Sequence, residues 1–238
     1  MLSIERLTKS YGSTLAVKDL TLHIAPGEIY GFIGHNGAGK TTTLKCVAGI
    51  LDFESGKITI DSIPVAENPI EAKRRIAYIP DNPDLYEYMT GMQYLNFVAD
   101  IFKVGAAERK ERIHADAAAF GLEGDLNSAI ATYSHGMKQK LALISALIHE
   151  PKLIILDEPF VGLDPKAAHL LKLRMREHCD RGGAIFFSTH VLEVAEKLCD
   201  KVAIIKNGEL IRSGTMDEVR GDESLESVFL ELEEEKSC

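Results

Sequence analysis

Short runs with no polar alternation constrain this chain more than any other feature. Leu153-Ile154-Ile155-Leu156, Ala184-Ile185-Phe186-Phe187 and Val202-Ala203-Ile204-Ile205 are apolar throughout, and Ile29 to Ile33 is a fourth apolar run. A strand with one wet face alternates apolar and polar residues, whereas a run without alternation is covered on both faces. Helix-length segments separate the later runs, so the spacing predicts a parallel sheet with helices on both sides. Residues 2–33 read as strands: Leu20-Thr21-Leu22-His23-Ile24 alternates with period two, and Pro26-Gly27-Glu28 is a turn before Ile29. Lys57 to Ile60 and Ile76 to Ile79 are further short strands, and Leu44, Val47, Ala48, Ile50 and Leu51 carry helical spacing. From about Met89 to Ile130 the character changes. Residues 92–103 and 107–121 have helical periodicity without a strand, which predicts a helical insertion. In the acidic segment 221–238, Leu225, Val228, Phe229 and Leu232 recur at i, i+3, i+4 and i+7, so an amphipathic helix docked on the body is expected.

Composition serves mainly to exclude. With 238 residues, 45% hydrophobic and 26% charged, the chain has room for a large buried core and is not a disordered sequence. Acidic residues number 36 against 27 basic ones, a formal charge of −9, and the densest basic cluster is Lys73-Arg74-Arg75. That balance speaks against a nucleic-acid partner. The cysteines Cys46, Cys179, Cys199 and Cys238 form no C-x-x-C pair, so neither a zinc site nor a disulfide framework is indicated, and reduced thiols are expected. No basic start followed by a long apolar region suggests a secretory signal, and the longest apolar stretch, Leu141 to Ile148, is about half of a bilayer span.

Gly34-His35-Asn36-Gly37-Ala38-Gly39-Lys40-Thr41 matches the phosphate-loop pattern G-x-x-x-x-G-K-[ST], with Thr42 next in the following helix. Glycines let backbone N–H groups curl around phosphate oxygens, and a helix starting near Lys40 adds its positive end. Lys40 supplies a point charge to the terminal phosphates, and the Thr41 hydroxyl can ligate Mg²⁺. A plain Gly-rich turn does not explain why the loop lies between an apolar strand and a helix. Asp157 and Glu158 follow directly on Leu153 to Leu156. Ligands in open α/β sheets gather at the carboxyl ends of strands, so Asp157 would hold Mg²⁺ through water and Glu158 would polarise an attacking water. The competing reading is a strand that simply ends in Asp-Glu-Pro.

Three further segments complete an ordered set: Tyr133-Ser134-His135-Gly136-Met137-Lys138-Gln139, Gly162-Leu163-Asp164-Pro165 and Ser188-Thr189-His190. From Tyr11 to about Gly214, this chain resembles the nucleotide-binding subunit of ATP-binding-cassette (ABC) transporters. The resemblance implies an α/β phosphate-loop NTPase (RecA-like) core with an antiparallel β subdomain. It also implies an inserted helical subdomain at roughly 86–150, within an ATPase domain of 1–220. By the same resemblance Tyr11 would stack on adenine, and His190 would contact the γ-phosphate and hold the attacking water with Glu158. Asp164 would lie in a loop communicating between two subunits, and Ser134 and Gly136 would close on ATP bound to the opposite subunit. Taken singly, Tyr11 reads as a packed strand-end aromatic and His190 as a hydrogen-bonded histidine; the order of motifs favours function. Expected partners are a membrane permease and a second ATPase subunit, with ATP and Mg²⁺ as cofactors, at the cytoplasmic face of the membrane.

Two segments depart from the family pattern. The signature usually reads Leu-Ser-Gly-Gly-Gln, and here Tyr133, His135 and Met137 replace its first, third and fifth residues. Ser134 and Gly136 remain, so closure is expected to survive; His135 either adds a titratable charge near phosphate or faces solvent. Asp81 stands where the family commonly has Gln, and could bind Mg²⁺ through water or cap the turn from Pro80 to Pro83. Both departures resemble the bacterial exporter-type branch, in which ATPase and permease are separate chains. An ABC-type ATPase acting on ribosomes or DNA is the first alternative, opposed by the acidic balance and by a length too short for two cassettes. A phosphate-loop phosphotransferase is the second, and it gives no reason for Tyr133 to Gln139 or for Ser188 to His190.

Overall fold

The period-two alternation at the N-terminus becomes two long antiparallel strands, β1 (Leu2–Tyr11) and β2 (Thr14–Ile24), in register from Leu2 opposite Ile24 to Tyr11 opposite Thr14. They are followed by β3 (Ile29–Ile33), α1 (Lys40–Val47), β4 (Ser55–Ile60), β5 (Ile63–Pro64), α2 (Pro69–Arg74) and β6 (Ile76–Ile79). Three longer helices come next: α3 (Gly91–Ile101), α4 (Ala106–Phe120) and α5 (His135–Leu147). Thr90 caps α3 in a reciprocal box with Gln93, which satisfies two donors at the helix start. The remainder is β7 (Leu153–Asp157), α6 (Pro165–Asp180), β8 (Ala184–Thr189), α7 (Leu192–Leu198), β9 (Lys201–Lys206), β10 (Glu209–Thr215), α8 (Met216–Arg220) and α9 (Leu225–Glu234). The computed structural model describes residues 1–234.

Two sheets result. The smaller is antiparallel with order β2-β1-β4-β5, and the larger has order β10-β9-β3-β8-β7-β6. Strands β9, β3, β8, β7 and β6 run parallel. Side chains in a strand alternate between faces, and here each face has its own core. Ile29, Ile33, Ile154, Leu156, Ile185 and Phe187 enter the core on the side of α3 to α7. Tyr30, Phe32, Leu153, Ile155, Ala184 and Phe186 enter the other, under the antiparallel sheet and α1. Phe32 and Phe186 are fully buried with ring centroids 5.4 Å apart. Removing either ring would cost about 3–5 kcal/mol. Burial on both faces is the physical reason the runs carry no polar residue.

The structure corrects two expectations. The helix after the phosphate loop stops at Val47: Gly49 adopts φ +65°, and Ile50, counted with the helical spacing, is 53% exposed. A left-handed glycine just past a helix ends it, whatever the apolar periodicity beyond. The larger sheet is also mixed, because β10 closes its edge antiparallel to β9. The connection between them is only Asn207-Gly208, both at positive φ, and a two-residue loop can join only antiparallel strands. Helix α9 forms in the acidic C-terminal segment with Leu225, Val228 and Phe229 buried. Residues 235–238 of the expected 221–238 segment, Cys238 among them, lie outside the described residues. Cys46, Cys179 and Cys199 are buried and unpaired, and among the described residues no helix is long and apolar enough to cross a membrane.

Candidate functional site

The parallel strands β3, β7 and β8 end side by side, and the residues just beyond their carboxyl ends build the site. After β3 the chain enters the loop 34–39 and then α1, whose N-cap is Gly39 at φ +105°. A β-carbon at Gly39 would sit 2.4 Å from the Ala16 carbonyl, so both backbone angle and available space require glycine there. Tyr11, His35, Asn36, Gly37, Gly39, Lys40, Thr41, Thr42, Asp81, Asp157 and Glu158 line one cavity of about 330 Å³. Ala38 is buried beneath the loop, and Gly34 starts it. Tyr11, at the end of β1, is 51% exposed at the rim with Lys9 Nζ 5.5 Å from its ring centre.

Inside the cavity, Lys40 Nζ donates to the carbonyls of Gly34 at 2.5 Å and His35 at 3.3 Å, and lies 3.6 Å from Glu158 Oε1. Burial pushes the Lys40 ammonium below the ordinary lysine value, and the Glu158 and Asp157 carboxylates pull it partly back. Thr41 Oγ1 donates to Asp157 Oδ2 at 2.7 Å, and Ser188 Oγ donates to the other oxygen of Asp157. Strand register makes this possible, since Asp157 stands directly opposite Ser188. The same Ser188 oxygen accepts from Glu158 N at 3.1 Å. Glu158 has φ +46°, a left-handed angle that costs a residue bearing a β-carbon about 1 kcal/mol. Such strain persists at positions where surrounding contacts hold a side chain in one direction. His190, just past β8, completes the group: Nδ1 lies 3.0 Å from Glu158 Oε1, and its backbone N–H donates to Oε2 at 3.4 Å.

Ser134, Gly136 and Asp164 do not line this cavity; they form a second cluster. Ser134 is the N-cap of α5, its hydroxyl accepting from Met137 N at 3.3 Å. Asp164 is the N-cap of α6, accepting from Ala167 N at 2.8 Å and pairing with Lys140 Nζ at 2.7 Å. Those two partners, Lys140 first, hold the Asp164 carboxyl below the usual carboxylate range. His135 faces neither phosphate nor open solvent alone, because its ring lies over Gly162. A β-carbon on Gly162, at φ +78°, would be 2.5 Å from His135 Cδ2. Tyr133 is buried and donates its hydroxyl to the Asp125 carbonyl at 2.7 Å, tying the start of the signature to the turn after α4. The sequence alone assigns no role to Ser188 or Lys140. The signal for Ser188 is its position at the polar end of an apolar strand; Lys140 has none, since its partner lies 24 residues away.

Fold and site together define a phosphate-loop nucleoside triphosphatase. A sequence model of the ABC transporter family matches residues 17–161. The ABC-type transporter ATP-binding protein EcsA of Bacillus subtilis is 37% identical over 99% of this chain and 97% of its own length. A solved ATP-binding subunit of an ABC transporter superposes with TM-score 0.95 at 38% identity, covering 98% of this chain and 100% of that one. CbiO1 of Clostridium perfringens, part of the ABC transporter complex CbiONQ, superposes with TM-score 0.79 at 29% identity over 98% of this chain and 95% of its own. The chain belongs to the ABC transporter family. It is an ATP-binding and ATP-hydrolysing subunit that powers a separate permease. ATP-binding subunits of this family partner with membrane permeases.

Proposed function

We propose that this subunit binds Mg-ATP on the loop 34–41 and that two copies close on two nucleotides to drive export. The observation that carries the reading is the convergence of Lys40, Thr41, Asp157, Glu158 and His190 on one cavity at the ends of three adjacent strands. Lys40 and the N-terminus of α1 take the triphosphate, and Tyr11 at the rim receives the adenine. The donor set suits Mg²⁺: Thr41 Oγ1 and Asp157 Oδ2 are hard oxygens 2.7 Å apart, and Ser188 fixes the Asp157 carboxylate through its other oxygen. When bound, the ion would offset charge on the phosphates, with Asp81 as a further carboxylate at the cavity wall.

Glu158 accepts a proton from the attacking water, and His190 holds that carboxylate's direction while reaching toward the γ-phosphate. Lys40 stabilises the charge that builds on the transferred phosphoryl group. Ser134 and Gly136, at a helix start away from their own cavity, offer a hydroxyl and an N–H to the partner's nucleotide; Asp164, linked to them through Lys140, lies at the same seam. Closure is driven by contacts ATP makes only between subunits, and loss of the γ-phosphate releases them. The subunit works paired with a second ATPase subunit, another copy or a related chain, at the cytoplasmic face of the membrane.

The test is a trapping experiment. Glu158→Gln protein with Mg-ATP elutes as a dimer, and adding Ser134→Arg on that background returns it to monomer. A dimer indifferent to Ser134→Arg, or a monomer with ATP demonstrably bound, overturns the sandwich.

A further inference from the structure

Helix α9 reaches back to the phosphate loop. Phe229 meets the ring of His35 edge-to-face, with centroids 4.9 Å apart and planes at 62°. Phe229 is 6% exposed and shares its core with Leu225 and Val228 of the same helix. One turn further on, Lys206 Nζ at the end of β9 donates to the Leu232 carbonyl at 3.2 Å. The aromatic ring is therefore held by packing on its own helix and by a hydrogen bond beyond it. On the other side of the contact, the His35 carbonyl accepts from Ala38 N at 3.1 Å and from Lys40 Nζ at 3.3 Å. The first bond shapes the curl of the loop and the second aims its ammonium. His35 thus carries on one residue both the ring that α9 grips and the peptide that organises the cradle.

We propose that Phe229 is a positioning residue for the phosphate loop. Acting through His35, it holds the loop in its curled form, so a helix at the C-terminal end of the chain sets affinity for triphosphate without touching it. This rests on the reading of residues 34–41 as the ATP cradle. An edge-to-face aromatic pair contributes about 0.5–1.5 kcal/mol, which limits the effect to about tenfold in affinity. The water-activating groups Glu158 and His190 lie beyond other strands, and Lys40 keeps its shorter bond to the Gly34 carbonyl, so turnover at saturating ATP changes less than affinity does.

The test uses the full chain and reads KM for ATP, kcat and the thermal midpoint separately. Phe229→Ala raises KM about 3- to 10-fold with kcat held within about twofold. Phe229→Leu, which keeps an apolar anchor for α9 and so the fold, raises KM similarly; Phe229→Tyr, which keeps the ring, stays within about twofold of the parent. In a His35→Ala background, Phe229→Ala adds nothing. The proposal is overturned if Phe229→Leu leaves KM unchanged, if kcat falls instead of KM rising, or if Phe229→Ala has the same effect with and without His35. Lys40→Ala run alongside separates the two readings: unchanged nucleotide affinity in that variant sinks the cradle and the role of Phe229 with it, whereas lost affinity there beside an unchanged KM in Phe229→Leu sinks the role of Phe229 alone.

Discussion

Replacing Glu158 by Gln isolates proton acceptance from everything else the side chain does. Gln has the same shape, and its amide oxygen can still accept the His190 N–H that Glu158 Oε2 receives at 3.4 Å. The φ of +46° costs Gln what it costs Glu, so the backbone contribution cancels. Lys40 loses a carboxylate 3.6 Å away, but Asp157 remains among the groups that keep its ammonium charged. One negative charge leaves a cavity that must take up a triphosphate, so affinity is held or tightened. The function that disappears is the base, worth about 10²- to 10⁴-fold in turnover, or about 2.7–5.4 kcal/mol in barrier. Phosphate release at saturating Mg-ATP measures the first effect, and equilibrium titration with a fluorescent ATP analogue measures the second. Turnover within about threefold of the parent would refute the assignment of the base. A tenfold loss of affinity would show that the side chain shapes the cradle instead.

Four further outcomes are expected. Lys40→Ala removes a charge-assisted contact worth about 1.5–3 kcal/mol and weakens ATP binding about ten- to a hundredfold, read by the same titration. Asp81→Ala shifts the Mg²⁺ concentration for half-maximal ATPase activity upward several-fold, and unchanged Mg²⁺ dependence removes Asp81 from the metal site. Tyr133→Phe deletes the 2.7 Å bond to Asp125 O and lowers unfolding free energy by about 1 kcal/mol, seen as a lower denaturant midpoint at constant slope. His149, stacked 3.6 Å from Phe102, and His178 are held below the ordinary histidine value, chiefly by burial. The folded protein prefers both rings neutral, so their contribution to stability is full above the unfolded value near 6.5 and is lost as pH falls toward the folded value. Urea unfolding at pH 7.5 and 5.5 checks this; a decline that persists undiminished in His149→Leu assigns the proton uptake elsewhere.

The sheet, the phosphate loop and the carboxylate pair were legible because each rests on residues adjacent in sequence. A run such as Leu153 to Leu156 records two-sided burial locally, and Gly34 to Thr41 records a loop whose shape is set by its own glycines. The C-terminal helix was legible for the same reason, since Leu225, Val228 and Phe229 share one face at helical spacing. The surface it packs against was not. Nothing near Phe229 in sequence indicates His35, nearly two hundred residues earlier, because that pairing is created by β9 lying beside β3. Ser188 is paired with Asp157 only by the register of β7 and β8, and Lys140 with Asp164 only by the approach of two helix starts. The end of α1 at Gly49 and the reversal of β10 escaped for the opposite reason: local turn geometry overrode an apolar pattern that continued past it. By itself the sequence determined which chemical groups are present and which strands are buried. Which carboxylate faces the lysine, which helix braces the loop, and how far Ser134 stands from its own cradle were decided by strand order and register, which bring together residues the chain keeps far apart.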